Sequence, residues 1–167
     1  MPNIPKRYIP KNLSTKDKKK QKKELLKSRK NYRSKKGTKR YYTRKKMQSF
    51  KSKTSPHILN ARKMYKVDDV MPNKKLSDAT GCSIKALEKI VAKGKGAYFS
   101  SGSRPNQTAH SWGYARLASS ITGGKASAVD YHVLKDGCKK NSKALKLSMK
   151  NRKKFKKGTR KVASVKI

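Results

Sequence analysis

The feature that most constrains the fold of this chain is a segment of low charge, residues 96–134, between lysine-rich neighbours. It reads GAYFSSGSRPNQTAHSWGYARLASSITGGKASAVDYHVL and contains the only tryptophan, Trp112, but just three basic residues. The whole chain of 167 residues has 48 basic and 8 acidic side chains, a net charge of +40. A segment with so few charges in such a chain is expected to be buried against other parts of the protein.

The charge is concentrated at the two ends of the chain. Residues 1–40 have 17 basic and 2 acidic side chains, and residues 138–167 have 13 basic and no acidic ones. Such segments contain too few apolar groups to fold alone, and they are typical of arms that bind polyanions. We therefore predict a mainly α protein in three parts: a basic N-terminal arm at 1–54, a small helical core at 55–137 and a basic C-terminal arm at 138–167. The arms are predicted to be long and extended, with short helices.

Capping residues predict where the helices begin. Ser14 or Thr15 is placed to begin a helix in the first arm, and Ser55 precedes a proline at the first helical position. Thr108 is placed to begin a core helix, and Ser142 one in the second arm.

Residues 74–94 are typical of two short helices that are joined at Gly81. Ser83 would cap the second helix, and Gly94 would end it. The pattern resembles the helix-turn-helix unit of bacterial repressors. Both DNA recognition and a helical hairpin used only for packing fit this pattern.

Apolar residues at helical spacing identify the core. A last core helix is predicted at 126–136, and we expect Arg116 and Asp130 to form an ion pair between helices. Trp112 is expected at the packing centre. The predicted core residues are Leu87, Ile90, Trp112, Leu117, Ile121, Val129 and Val133.

The side chains that could in principle catalyse a reaction or bind a metal are not spaced as in known active or metal sites. The acids of residues 41–137 form no acid–base pair, and the histidines and cysteines lack metal-ligand spacing. We therefore predict no enzyme activity, no catalytic residue, no metal and no cofactor. A bridge between Cys82 and Cys138 is possible, and no apolar run approaches a membrane span.

The strongest local candidate for ligand binding is an anion site in a loop rich in hydrogen-bond donors. Such loops before a helix hold phosphate or sulfate, although their hydroxyls can equally satisfy neighbouring backbone groups. The loop consists of Ser100, Ser101, Gly102, Ser103 and Arg104.

The arms contain the candidate partner-binding residues, which are cations for an anionic surface and a few apolar side chains for a groove. The last residues are also placed to add as a strand to the sheet of a partner. The candidates are Lys18, Lys19, Lys20, Leu25, Leu26, Arg29, Arg40, Leu145, Met149, Arg152, Lys153 and Val165.

Three blocks of the sequence resemble a family of uncharacterised proteins from large double-stranded DNA viruses, especially those of the chlorella-virus type. The blocks are KRYIPKNLSTKDKKKQKKELLKSRKNY, RYYTRKKMQSFKSKTSPH and the low-charge segment, and the resemblance covers roughly residues 6–138. It implies a viral protein that is packaged in the virion, with a place beneath the capsid shell, and supplies no catalytic residue.

Two functions follow from these observations. The first is a minor capsid protein that cements capsomers from inside the shell, with other capsid proteins as partners and an anionic membrane or the genome nearby. The alternative is a nucleic-acid-binding protein, helix-turn-helix-like or DNA-condensing, that is packaged with the genome. Localisation in the virion is expected in both cases, and neither requires a small-molecule substrate.

Overall fold

The computed structural model describes residues 3–34, 40–155 and 162–166, and these are mainly helical. The α-helices are α1 (Thr15–Arg33), α2 (Pro56–Tyr65), α3 (Lys74–Thr80), α4 (Ile84–Ser100), α5 (Ala109–Ile121), α6 (Lys125–Val129), α7 (Tyr131–Gly137) and α8 (Lys143–Phe155). A 3-10 helix at Lys6–Tyr8 follows strand β1 (Asn3–Pro5), which pairs antiparallel with β2 (Ser164–Lys166).

The predicted helix starts are confirmed, because capping is decided by neighbouring residues. The Ser14 hydroxyl accepts a hydrogen bond from the Asp17 amide, and Ser55 does the same for His57. Thr108 accepts from Ser111, and Ser142 accepts from Leu145.

The chain divides into two compact units. The first unit comprises Met1–Lys53, Lys95–Trp112 and Lys161–Ile167, and the second comprises Thr54–Gly94 and Gly113–Arg160.

The first unit buries polar side chains as well as apolar ones. Its apolar cluster is small: Ile4, Tyr8 and Leu25 are buried, and Trp112 packs edge-on against Tyr8 with ring centroids 5.8 Å apart. Trp112 is only half-buried, so its predicted place at the packing centre is wrong. The reason is that the first unit has few apolar side chains to cover an indole.

The second unit has the larger apolar core. Of the predicted core residues, Leu87, Ile90, Leu117 and Ile121 are fully buried, as is Leu134. A disulfide joins Cys82 to Cys138, and backbone hydrogen bonds on either side of it tie the segment before α4 to the segment after α7.

Two predicted helix boundaries are wrong. The second helix of the predicted hairpin continues through Gly94 to Ser100. A Cβ at Gly94 would lie 2.6 Å from the Cα of Gly113, so here glycine permits close contact between α4 and α5 rather than ending a helix.

The helix predicted at 126–136 is broken at Asp130 into α6 and α7. Asp130 is buried and bonded by three side chains, and its backbone leaves the helical conformation. The break changes which side chains face inward. Val129, predicted in the core, is 45% exposed, Val133 is partly buried against the core, and Leu134 is buried instead.

Long extended arms at 1–54 and 138–167 stay a prediction, because parts of both ranges lie outside the described residues. The described parts of these ranges include α1 and α8, and α8 packs on α6 and α7. The predicted division into parts 1–54, 55–137 and 138–167 was based on the distribution of charge, and it stays a prediction.

Candidate nucleic-acid interface

Helix α1 has two faces of opposite chemistry. Its buried side holds Asp17, Gln21, Glu24, Leu25 and Ser28. Its outer side carries exposed lysines spaced three or four residues apart, which places them along one stripe of a helix. This lysine face consists of Lys16, Lys19, Lys23, Lys27 and Lys30, and it extends over about 21 Å at the helical rise of 1.5 Å per residue.

Both acidic residues of the first unit are turned inward and bonded. A single Asp17 oxygen accepts from the Ser49 amide at 2.8 Å and from the Ser49 hydroxyl at 2.7 Å. These hydrogen bonds, that of the hydroxyl first, lower the pKa of Asp17, so it is ionised at neutral pH. A Glu24 oxygen accepts from the Tyr42 hydroxyl at 2.9 Å and from the Lys45 amide at 2.8 Å.

Because both acids of the first unit point inward, the charged side chains on its surface are all positive. The unit contains 26 basic and two acidic residues, a net charge of +24, and the two acids are Asp17 and Glu24. Both are less than 9% exposed. No side-chain carboxylate of this unit therefore competes with an anionic ligand for the lysine face.

A segment after α1 supplies the partners that hold these acids. Residues 40–50 lie along the helix, and Arg44 is the most buried cation there. Its guanidinium donates to the Ser28 hydroxyl at 2.9 Å, the Tyr98 carbonyl at 2.7 Å and the Ser103 hydroxyl at 2.6 Å. It also stacks 3.8 Å from the centre of the Tyr98 ring. Burial lowers the pKa of Arg44, but from so high a value that the group stays charged.

The loop predicted to hold an anion binds arginines of the same chain instead. The Ser101 carbonyl accepts from Arg29 at 3.0 and 2.7 Å, and Ser103 is bonded to Arg44. Gly102 has φ +110°, and a Cβ there would lie 2.6 Å from Leu25 Cδ2, so the loop packs closely on α1. Ser100 ends α4 and Arg104 is exposed. The anion site stays a prediction, but Ser103 is already engaged.

The predicted partner-binding residues fall into separate groups. Leu25 and Leu145 are buried in the clusters of their own units, so their predicted role in a partner's groove is wrong. Val165 lies in β2, which pairs with β1 of the same chain. Half-buried side chains are Lys18, Lys20, Leu26, Arg29 and Arg152, and exposed ones are Lys19, Arg40, Met149 and Lys153.

The helix-turn-helix-like unit is present as α3, a turn at Gly81 and the first part of α4. Lys85 and Lys89 are exposed on α4, and the exposed Glu88 lies between them in the sequence. Backbone bonds from Ser83 to Gly137 and from Lys139 to Gly81 fix the turn. A carboxylate on this face makes it a weaker surface for phosphate than the lysine face of α1.

The sequence patterns missed the inward acids and Arg44. One signal was available for Asp17: it stands three residues after the cap Ser14, a position that acids favour in the first helical turn. Glu24 and Arg44 had no such local signal, because their partners lie 16 or more residues away in the sequence.

Within 3–34, 40–155 and 162–166, no three His, Cys, Asp or Glu side chains come together as metal ligands would. In the same residues, no helix is both long and apolar enough to cross a membrane.

Comparison with known proteins places the chain in a family but assigns no activity. Residues 5–136 match the model of a family of unknown function, DUF5824. No curated protein and no solved structure matches the chain significantly. Because the match covers most of the 167 residues, the chain belongs to the DUF5824 family.

Proposed function

We propose that the chain is a structural, non-enzymatic protein that binds nucleic acid through the lysine face of α1. The observation that supports this most is the orientation of Asp17 and Glu24. Both carboxylates accept hydrogen bonds within the first unit, whereas Lys16, Lys19, Lys23, Lys27 and Lys30 are exposed.

A lysine face of this kind is unfavourable for a helix that has no ligand. Like charges three or four residues apart destabilise a helix by roughly 0.2–0.5 kcal/mol per pair. Phosphates opposite the ammonium groups relieve this repulsion by their negative charge. The counterions that are then released from the nucleic acid favour binding as well. A polyanion is therefore the ligand that this surface suits.

A place in a virion is the second part of the proposal, and it rests on the resemblance to proteins of large DNA viruses. A packaged genome would supply the polyanion. A minor capsid protein that cements capsomers would do so through its basic arms, with an opposing charged surface or a groove for a few apolar side chains of the arms. Since Leu25 and Leu145 are buried, Leu26 and the exposed Met149 remain for such contacts. Binding to the genome is accordingly better supported than binding to capsid proteins.

The test is the salt dependence of binding to a fluorescein-labelled 20-base-pair duplex, measured by anisotropy with the full chain. Five phosphate contacts give a slope of about −4.5 for log K against log salt concentration, so affinity falls about 500-fold between 50 and 200 mM NaCl. We expect this slope or a steeper one. Binding to phosphatidylglycerol vesicles without binding to the duplex at 50 mM NaCl would contradict the proposal.

A further inference from the structure

An exposed aromatic ring lies in the segment along α1. Tyr41 is 63% exposed, the largest value among the large apolar and aromatic side chains that the structure describes as exposed. Phe99 contacts it edge-on, with ring centroids 5.2 Å apart and planes at 67°. The contact holds the ring in a defined orientation while most of its surface stays open to a ligand.

One cation, Arg40, lies beside this ring and connects it with the C-terminal part of α1. The Arg40 guanidinium lies 5.9 Å from the centre of the Tyr41 ring and 4.8 Å from that of Tyr32, a residue of α1. Lys27, a member of the lysine face, lies 4.5 Å from the ring centre of Tyr42. The exposed Tyr41 ring is thus next to one guanidinium that can bind phosphate, and the ring that follows it in the sequence is next to Lys27.

We propose that Tyr41 and Arg40 form a stacking platform for an unpaired base, so that the surface favours single-stranded nucleic acid over duplex. This inference rests on the proposed function. In a duplex the faces of the bases are covered by their neighbours, and a protein ring cannot reach them without flipping a base. Single strands expose those faces, and proteins that bind them combine a cationic path for the backbone with aromatic side chains.

The sequence around the ring has the composition that such a platform requires. The run Arg40-Tyr41-Tyr42-Thr43-Arg44 has two rings between two cations. The structure separates the roles within it: Arg44 is buried and supports the segment, whereas Arg40 and Tyr41 are exposed. Tyr42 donates to Glu24 and so fixes the backbone next to Tyr41.

The test separates stacking from phosphate binding with two labelled single strands, a 15-mer of thymidine and an abasic 15-mer with the same backbone. The full chain, Tyr41→Ala and Tyr41→Phe are compared by anisotropy at one salt concentration. Tyr41→Phe is the matched control because it keeps the ring and removes only the hydroxyl. Stacking one base on an aromatic side chain contributes about 10-fold in affinity.

We expect the full chain and Tyr41→Phe to bind the thymidine strand about 10-fold more tightly than the abasic strand. Tyr41→Ala is expected to bind both strands alike, with the affinity for a 15-base-pair duplex unchanged. Equal binding of the two strands by the full chain would overturn the stacking platform and leave the proposed function standing. If the full chain binds none of the three nucleic acids, both the stacking platform and the proposed function are overturned. If Tyr41→Ala loses only its binding to phosphatidylglycerol vesicles, the ring is assigned to lipid and the stacking platform is overturned. The comparison of the two strands uses the unaltered protein, so it is decisive even if Tyr41→Ala does not fold.

Discussion

Asp130→Asn is expected to lower the free energy of unfolding by about 3 kcal/mol at neutral pH. The Asp130 carboxylate is fully buried and accepts from Arg116 at 3.0 and 2.8 Å, from Lys93 at 2.9 Å and from Ser120 at 2.7 Å. Removing one partner of a buried ion pair costs about 3–5 kcal/mol. The lower end applies because the side chain of Lys93 is 44% exposed and is able to turn to water.

The effect of this substitution also depends on pH. Burial raises the pKa of Asp130, but the hydrogen bonds and charge of Arg116, with Lys93 and Ser120, lower it overall. A carboxyl group whose pKa is lower in the folded state stabilises the fold above its ordinary pKa of about 3.9, and this contribution is lost as the pH falls. The difference between the two proteins should therefore shrink below about pH 4.

Urea unfolding followed by far-ultraviolet circular dichroism between pH 7 and pH 3 measures both effects. The matched control is Asp136→Asn, which neutralises an exposed aspartate of α7 and is expected to change stability by less than about 0.5 kcal/mol. The account of Asp130 is wrong if both substitutions have the same small effect, or if the loss at Asp130 is the same at every pH.

Loss of the disulfide is expected to lower the free energy of unfolding by about 4 kcal/mol. The bridge joins residues 56 positions apart, and closing a loop of this length in the unfolded chain accounts for an effect of about this size. The neighbouring backbone bonds from Ser83 to Gly137 and from Lys139 to Gly81 remain possible without it. The folded state should therefore persist with reduced stability.

The measurement compares urea unfolding of the full chain with and without dithiothreitol, next to a variant in which both Cys82 and Cys138 are serine. Reduction should lower the stability of the full chain to that of the variant, and dithiothreitol should leave the variant unchanged. A full chain whose unfolding is insensitive to reduction would show that the bridge does not constrain it.

The features that sequence analysis predicted correctly depend on neighbouring residues. The caps at Ser14, Ser55, Thr108 and Ser142 need only their own hydroxyl and an amide two or three positions on. The ion pair of Arg116 with Asp130 was also predicted and is confirmed. It was recognisable because a single acid stands in the low-charge segment, close to one of its few cations.

The features that were not predictable depend on contacts between distant residues. The break at Asp130 follows from the side chains that bond its carboxylate, so periodicity alone placed Val129 on the wrong face. The inward position of Glu24 depends on Tyr42 and the Lys45 amide. Net charge therefore indicated a polyanion as the ligand, whereas the carboxylate-free surface became visible only in three dimensions.

The salt dependence of duplex binding by two charge-matched variants tests whether the lysine face of α1 is the nucleic-acid interface. In one variant the lysine face is replaced by glutamine, a similarly good helix former, at positions 16, 19, 23, 27 and 30. In the other, five exposed lysines of the second unit are replaced by glutamine: Lys85, Lys89, Lys143, Lys146 and Lys150. Both lose five positive charges, so a general effect of net charge is the same in each.

We expect the first variant to bind with a slope of log K against log salt that is shallower by about 4.5, since each lost phosphate contact removes about 0.9. The second variant should keep the slope of the unaltered chain to within about one. Equal losses of slope in the two variants would show that binding follows net charge alone. A larger loss in the second variant would move the interface to α4 and α8 and contradict the assignment to the lysine face of α1.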